Sequence, residues 1–432
     1  MVGAINMTWQ NGFLNFKHAA ADESLAVNEL RHRAFAKFEA EGLPTKSEEA
    51  WRFTSLSPFK AIEWSPAETI AEEALSHDQM LAISKLLPSE FTNYVFVNGR
   101  LNRTLSDDTD SLIHVSAPQD SDFRFEPTLT ERRLLNLSQA FLAKTINITL
   151  AKGRELVKPV QILFVQTSEK SLFSSEKLNV RMGESSEMKL ILHSTNISCS
   201  VPQALNLNIS VEAEFNSRLQ LIQLQAEEAN SFHFSQNEQT LGAGAQVMNL
   251  TLGLGARLTR NFLQMAFVEE NARGDVFGVS ILDGDQHADN YTFIQHRRGA
   301  NESVQHYKSI LSGASHSVFR GRVLIEPNAQ KANSAQLNNN LILTRTAQVD
   351  TVPQLEIFAD DVKAGHGATV GQLNKEEIFY FLSRGINQYQ AVKMLSQGFA
   401  TELILKIENQ VLREYLLACL SSKLDKLVEN GK

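Results

Sequence analysis

The residues best suited to bind a metal in this chain are histidines, because cysteine is almost absent. The 432-residue sequence has 11 histidines and only two cysteines, Cys199 and Cys419, which lie far apart and form no CxxC pair. A four-thiolate iron–sulfur site, a structural zinc site and a disulfide framework held by this chain alone are therefore excluded. Any metal must be held by other ligands or shared with a second chain.

One histidine lies in a glycine-rich segment. The segment 359–371 reads ADDVKAGHGATVG and places His366 between two glycines. Glycine has no Cβ, so a bound atom can approach the imidazole closely, and a neutral imidazole nitrogen is a common metal ligand. The residues alone leave a metal ligand and an ordinary turn histidine both open, since one ligand does not make a site. We predict that this segment is a loop at a domain junction, before a helix capped by Asn374.

Four other histidines recur at regular spacing. His287, His296, His306 and His316 follow one another at intervals of nine, ten and ten residues. In a solenoid with coils of about 20 residues, alternate members would stack on one wall as a ladder of metal ligands. No cysteine or close carboxylate accompanies them, so we favour half-buried, hydrogen-bonded histidines at strand ends.

The elements that must position these residues form three segments. We predict an N-terminal helical segment over 1–90, a β-rich core over 91–360 and a C-terminal helical domain over 361–432, from the change between helical and two-residue apolar periods. Strand follows strand with almost no intervening helix, which argues against a doubly wound α/β fold. Few Asn-Gly turns argue against an antiparallel meander, so a right-handed parallel β-helix fits best.

A leucine-rich stripe near the C-terminus predicts one long final helix. Its apolar positions repeat at helical spacing and would face the core or a partner protein. They are Leu403, Ile407, Val411, Leu416, Leu420, Leu424 and Leu427.

Composition and missing motifs exclude several functions. The chain has 41 basic and 49 acidic residues, a net charge of −8, and no cluster of Lys or Arg, which disfavours binding to nucleic acid or an anionic membrane. No signal-peptide pattern and no run of about 18 apolar residues occurs, so we expect a cytoplasmic protein. No phosphate-binding GxxxxGK[ST] loop is present, so any ATP must be bound by a partner.

Several motifs resemble the SufB/SufD family of iron–sulfur cluster assembly proteins. The match spans most of the chain and is densest from about 290 to 400. It includes 353–357 (PQLEI), 361–363 (DVK), 366–369 (HGAT), 371–373 (GQL), 383–386 (SRGI) and 398–399 (GF), with 49–54 (EAWRFT) near the N-terminus. The chain is more similar to the SufD type. The family pattern usually has a cysteine two positions before the histidine, where Ala364 stands here.

The resemblance implies a right-handed parallel β-helix between helical N- and C-terminal segments, and a scaffold without turnover of its own. It implies pairing with a SufB-type subunit at the end of the core and docking of the SufC ATPase on the C-terminal helices. The sequence leaves open whether the isolated chain forms a homodimer, which would follow if the exposed end of the β-helix pairs with a copy of itself. His366 would be a candidate ligand of iron or of a transient iron–sulfur cluster at the partner interface, and a flavin is compatible with the complex. Cys199 is a weaker candidate for handling sulfur, and Cys419 reads as a small buried apolar residue.

Two alternatives stay open from the sequence. One is a purely structural partner that organises SufB and SufC without ligating the cluster, which Ala364 favours. The other is a β-helix enzyme of the polysaccharide-lyase or acyltransferase kind, which would need clustered carboxylates or a catalytic histidine between coils. The sequence shows neither clearly.

Overall fold

The computed structural model describes residues 2–19, 24–69, 74–107, 112–123 and 132–430. Helices lie mainly towards the two ends of the chain: α1 (Val2–Ala19), α2 (Leu25–Glu41), α3 (Ser57–Lys60), α4 (His77–Ser84), α5 (Arg132–Ala140), α6 (Lys375–Ser383), α7 (Gln388–Ile404) and α8 (Gln410–Asn430). Short 3-10 helices cover Glu49–Trp51, Ala67–Thr69 and Asp120–Phe123.

Between the helical ends lie the strands. The early strands are short: β1 (Ser65–Pro66), β2 (Thr92–Val97), β3 (Arg100–Leu101), β4 (Ile113–Ser116), β5 (Thr145–Leu150) and β6 (Val160–Gln166). The longer strands that follow are β7 (Leu172–Met182), β8 (Glu187–Asn196), β9 (Ala204–Ala213), β10 (Arg218–Ala226), β11 (Phe232–Leu241), β12 (Gln246–Gly253), β13 (Leu258–Phe267), β14 (Arg273–Leu282), β15 (His287–His296), β16 (Glu302–Leu311), β17 (His316–Ile325), β18 (Asn333–Ile342), β19 (Gln348–Ile357) and β20 (Lys363–Gly371).

The strands form two sheets wound as a β-helix, and their pairs are parallel except for β2–β3 and β4–β5, which are antiparallel. The first sheet runs β19-β17-β15-β13-β11-β9-β7-β5-β4, and the second runs β20-β18-β16-β14-β12-β10-β8-β6-β2-β3. From β5 onwards, consecutive strands alternate between the sheets, and each pairs in parallel with the strand two places away in sequence. The mainly β architecture and the parallel β-helix predicted from the sequence are confirmed.

Each strand sends alternate side chains into the solenoid and out of it. On β9, Leu205, Leu207 and Ile209 belong to the interior apolar cluster. Their outward neighbour Ala204 belongs instead to an aromatic cluster with Phe232, which joins the first sheet to the N-terminal helices. The C-terminal helices cover the second sheet in the same way, because their buried leucines share one cluster with its outward side chains.

The prediction of a loop over 359–371 is wrong. Residues 363–371 form strand β20, so the strands continue past residue 360. Gly365 and Gly367, the glycines that suggested a loop, alternate with Ala364, His366 and Ala368, and this two-residue period is typical of a strand. Neither glycine has the positive φ that a turn would require.

The prediction of one long final helix is also wrong. α7 ends at Ile404 and α8 begins at Gln410, and the Asn409 side chain accepts a hydrogen bond from the Leu412 backbone N–H at 2.9 Å, as a helix cap does. The break moves the stripe by one residue, so that Leu412 is fully buried and Val411 is 39% exposed.

Candidate functional site at the open end of the β-helix

The solenoid ends in two strands that lack a neighbour on one side. β19 is the terminal strand of the first sheet and β20 that of the second, within the described ranges. The backbone N–H of Gln348 bonds to Ser315, and that of Lys363 bonds to Ala332, both in the preceding coil. Successive N–H groups point to opposite sides of a strand, so the odd positions of β19 and the even positions of β20 direct theirs to the open side. Pro353, which has no N–H, occupies one of the odd positions.

His366 lies on this terminal coil. It is in register with Gln336 of β18, whose side chain is 1% exposed and faces the interior of the solenoid. His366 therefore lies on the inward face of β20, and it is exposed because no coil follows it. Ala364, two residues earlier on the same face, packs partly against the interior cluster. The Ala364 side chain thus faces the same way as the His366 imidazole.

No ready-made metal site surrounds His366. In the part of the chain that the structure describes, no three His, Cys, Asp or Glu residues lie close enough together to hold a metal ion. One exposed imidazole supplies one ligand, so a cluster or iron held here needs further ligands from outside this chain.

The four evenly spaced histidines are hydrogen-bonded side chains, as the favoured interpretation held. His287 contacts the Thr54 hydroxyl at 2.9 Å and His296 contacts that of Ser303 at 2.9 Å. His306 and His316 have partners at 2.7 Å in Asn339 and Asp350, respectively. Burial lowers the pKa of His287 and of His296 to about 4, so both are neutral at physiological pH.

The expected stacking of alternate histidines is wrong. His287 and His316 are directly in register and their rings lie 4.7 Å apart, so one coil extends from position 287 to position 316 and is longer than the assumed 20 residues. Among these four, only three begin or end a strand, because His306 lies within β16.

Neither cysteine is poised for sulfur chemistry. Sγ of Cys199 donates to the Gln166 backbone carbonyl at 3.1 Å, and burial raises the pKa of this thiol to about 11. Burial also raises the pKa of Cys419 to about 11, and its side chain packs against the cluster beneath the C-terminal helices. Both therefore remain protonated at neutral pH, whereas a nucleophile or metal ligand must be a thiolate.

The sequence did not predict a second exposed feature, a group of apolar side chains on α6. Helix α6 has no buried residue, and Phe379 and Tyr380 are 70% and 56% exposed. Leu382 on the same helix and Met394 on α7 are also exposed, at 43% and 49%. The apolar period of α6 is the same whether it faces a core or a partner, so only the packing shows that this face is uncovered. We call the three exposed α6 residues, Phe379, Tyr380 and Leu382, the α6 patch.

Fold and site together define a class of protein: a β-solenoid with helical ends, an unpaired histidine-bearing terminal coil and an uncovered apolar helix beyond it. The family model described as "SUF system FeS cluster assembly, SufBD core domain" matches residues 164–399, which is more than half of the chain. The chain belongs to the SufBD family. A role in iron–sulfur cluster assembly follows from that membership.

The sequences of individual relatives can be aligned with nearly the whole length of this chain. The chain is 29% identical to the iron–sulfur cluster assembly protein SufD of Escherichia coli, over 89% of this chain and 90% of the relative. It is 30% identical to an iron–sulfur cluster assembly SufBD family protein of Synechocystis, over 94% and 92%, respectively. A SufBD family protein of Mycobacterium leprae is 26% identical, over 91% and 94%.

Within the described residues, no helix combines the length and apolar character that crossing a membrane requires.

Proposed function

We propose that this chain is a non-catalytic, cytoplasmic scaffold subunit of a Suf iron–sulfur cluster assembly complex. It pairs with a SufB-type subunit through β19 and β20, engages the SufC ATPase through its C-terminal helices, and offers His366 to iron or a nascent cluster at the SufB interface. The cluster is cargo, and the isolated chain holds no cofactor stably. The observation that carries this proposal is the terminal coil, where two unpaired edges and one exposed inward-facing histidine coincide.

The unpaired edges support pairing with another solenoid. An edge strand presents N–H and C=O groups that favour addition of a further strand, and natural proteins usually cover or interrupt such edges. Here β19 is interrupted only by Pro353, and β20 is rich in small residues. A partner with the same two-sheet spacing would continue both sheets at once. When the partner is absent, a second copy of this chain can take its place and form a homodimer.

The isolation of His366 supports a shared site. An imidazole holds cluster iron less firmly than a thiolate does, which suits a scaffold that must release its product. The remaining ligands would come from the SufB-type subunit, because both thiols of this chain are protonated and the described residues contain no group of three potential metal ligands.

The α6 patch supports docking of the ATPase. It lies on α6, which packs against α7. Ala400, Leu403 and Ile404 of α7 belong to the apolar cluster shared with the second sheet. Movement of a bound partner would therefore act on the solenoid through that cluster.

The test is co-expression with SufB and SufC partners, anaerobic purification of the complex, and iron and sulfide analysis. We expect His366→Ala to reduce cluster loading several-fold without loss of the complex. The matched control is His114→Ala, which removes an exposed histidine from β4, the terminal strand of the first sheet opposite β19. Equal loading of the His366→Ala and wild-type complexes would remove His366 from the site.

A second candidate function is that of a purely structural partner, which organises SufB and SufC without touching the cluster. Ala364 favours it, because no thiol stands beside His366. This role predicts wild-type loading in His366→Ala, together with loss of loading whenever the edge strands can no longer pair.

A further inference from the structure

The strand before His366 carries a buried amide at the matching position. Gln336 of β18 is in register with His366, and its side chain is 1% exposed. Its outward neighbour Leu337 is 43% exposed, so Gln336 belongs to the interior face. Parallel strands lie about 4.8 Å apart, so side chains in register are immediate neighbours.

The Gln336 amide is held from the side of the preceding coil. Its Nε2 donates to Oε1 of Gln305 at 3.4 Å, and the same oxygen accepts from the Thr292 hydroxyl at 2.5 Å. The amide reaches across the interior to the first sheet, because a Cβ added to Gly321 would lie 1.8 Å from Gln336 Nε2. Glycine at position 321 therefore leaves the room that the glutamine occupies.

The oxygen of the same amide makes no hydrogen bond within the described residues. Gln336 Oε1 is buried and has no hydrogen-bond partner among the described residues. A buried acceptor without a partner costs about 1–3 kcal/mol, so such an oxygen calls for an explanation. The Gln336 Nε2 donates to Gln305 of the preceding strand, β16. The following strand, β20, places His366 beside Gln336.

We propose that Gln336 is a positioning residue for His366. Its Oε1 accepts the ring N–H of His366 and holds the imidazole in one tautomer, so that the unprotonated nitrogen faces the open end. Histidines that ligate metals usually donate their other ring N–H to an oxygen acceptor, which fixes tautomer and ring orientation. This inference rests on the proposed function, in which that nitrogen meets iron.

The experiment measures the tautomer directly. Ring ¹⁵N and ¹³C NMR shifts of histidine are recorded on the full chain, and the His366 signals are assigned from His366→Ala. Gln336→Met, which keeps the size and removes the acceptor, should convert one dominant tautomer into a mixture. Asn338→Leu is the matched control, because Asn338 is equally buried on the same face of β18 but is in register with Ala368. It should leave the tautomer unchanged. Gln336→Glu keeps an oxygen acceptor, serves if the methionine variant does not fold, and should preserve the dominant tautomer.

Iron loading of the complex separates this inference from the proposed function. We expect Gln336→Met to lower iron loading several-fold and Asn338→Leu to leave it near wild type. An unchanged His366 tautomer in Gln336→Met, or a lost one in Gln336→Glu, overturns the positioning role even if His366→Ala loses iron. A changed tautomer combined with wild-type iron in His366→Ala supports the contact and rejects the iron-binding function.

Discussion

The hydroxyl of Tyr415 lies 3.0 Å from Nδ1 of His193, and this contact joins the last helix to the second sheet. Tyr415 belongs to α8, and His193 points outward from β8 with 2% of its surface exposed. Burial lowers the pKa of His193 to about 4 and raises that of Tyr415. A neutral histidine and a protonated tyrosine therefore meet beneath the C-terminal helices, where a charge on either would be costly.

Buried histidines predict that the protein loses stability in mild acid. Burial lowers the pKa of His193, His287 and His296 to about 4, whereas histidine in an unfolded chain titrates near pH 6.5. As the pH falls below about 6.5, the unfolded chain binds protons that the folded chain does not, so the free energy of unfolding decreases until about pH 4. Each histidine contributes up to about 3–4 kcal/mol to this loss.

The measurement is urea unfolding at several pH values between 7.5 and 4.5. His193→Gln should reduce the loss of stability between these limits, because one of the three titrating groups is gone. His114→Gln, which removes an exposed histidine, should show the same loss as the wild type. Identical pH dependence in His193→Gln and the wild type would contradict the role assigned to His193.

Adding a thiol beside His366 should strengthen iron binding. Ala364 lies on the same inward face of β20 as His366, so Ala364→Cys places a soft ligand next to the imidazole. We expect the anaerobically purified complex to hold more iron and to release it more slowly. Gly365→Cys is the control, because it adds the same thiol one residue away on the outward face, where a Cβ meets nothing within 4 Å. Equal iron retention in the two variants would show that the inward face does not matter.

Removing one open-side donor from β19 should weaken pairing with the partner. Thr351 is at an odd position of β19, so Thr351→Pro removes an N–H that points away from β17 and leaves the internal ladder intact. We expect at least a tenfold weaker association with the SufB-type subunit, measured by sedimentation, with a small change in unfolding temperature. Val352→Pro removes an N–H on the β17 side and should instead lower stability, by about 1–3 kcal/mol, because a ladder hydrogen bond is lost and its acceptor is left unpaired. Undiminished association of Thr351→Pro would argue against pairing through β19.

A polar substitution in the α6 patch should abolish binding of the ATPase. Phe379 is 70% exposed, so Phe379→Ser removes apolar contact area without opening a cavity in the folded chain. We expect loss of SufC from the purified complex and an unchanged unfolding temperature. Phe215→Ser is the control, since Phe215 is 52% exposed in the turn between β9 and β10, away from α6. Retention of SufC by Phe379→Ser would place the docking surface elsewhere.

The sequence by itself determined the architecture, because it depends on local periods that persist for many residues. The alternation at Leu205, Leu207 and Ile209 marks a strand wherever it occurs, and the scarcity of helices between strands leaves few ways to arrange parallel pairs. The sequence also determined that this chain lacks the thiols for a cluster of its own, and it singled out His366 from its glycine-rich surroundings.

Only the tertiary structure determined which side chains are neighbours and which are exposed. Whether Gly365 and Gly367 belong to a loop or a strand depends on pairing with β18, which lies outside any local window. The register that brings Gln336 beside His366, and the length of a coil that brings His287 beside His316, are set by long-range pairing, which no sequence period reports. The sequence likewise could not predict the exposure of Phe379, because an apolar helix face has the same period whether it packs against a core or is left exposed to bind a partner.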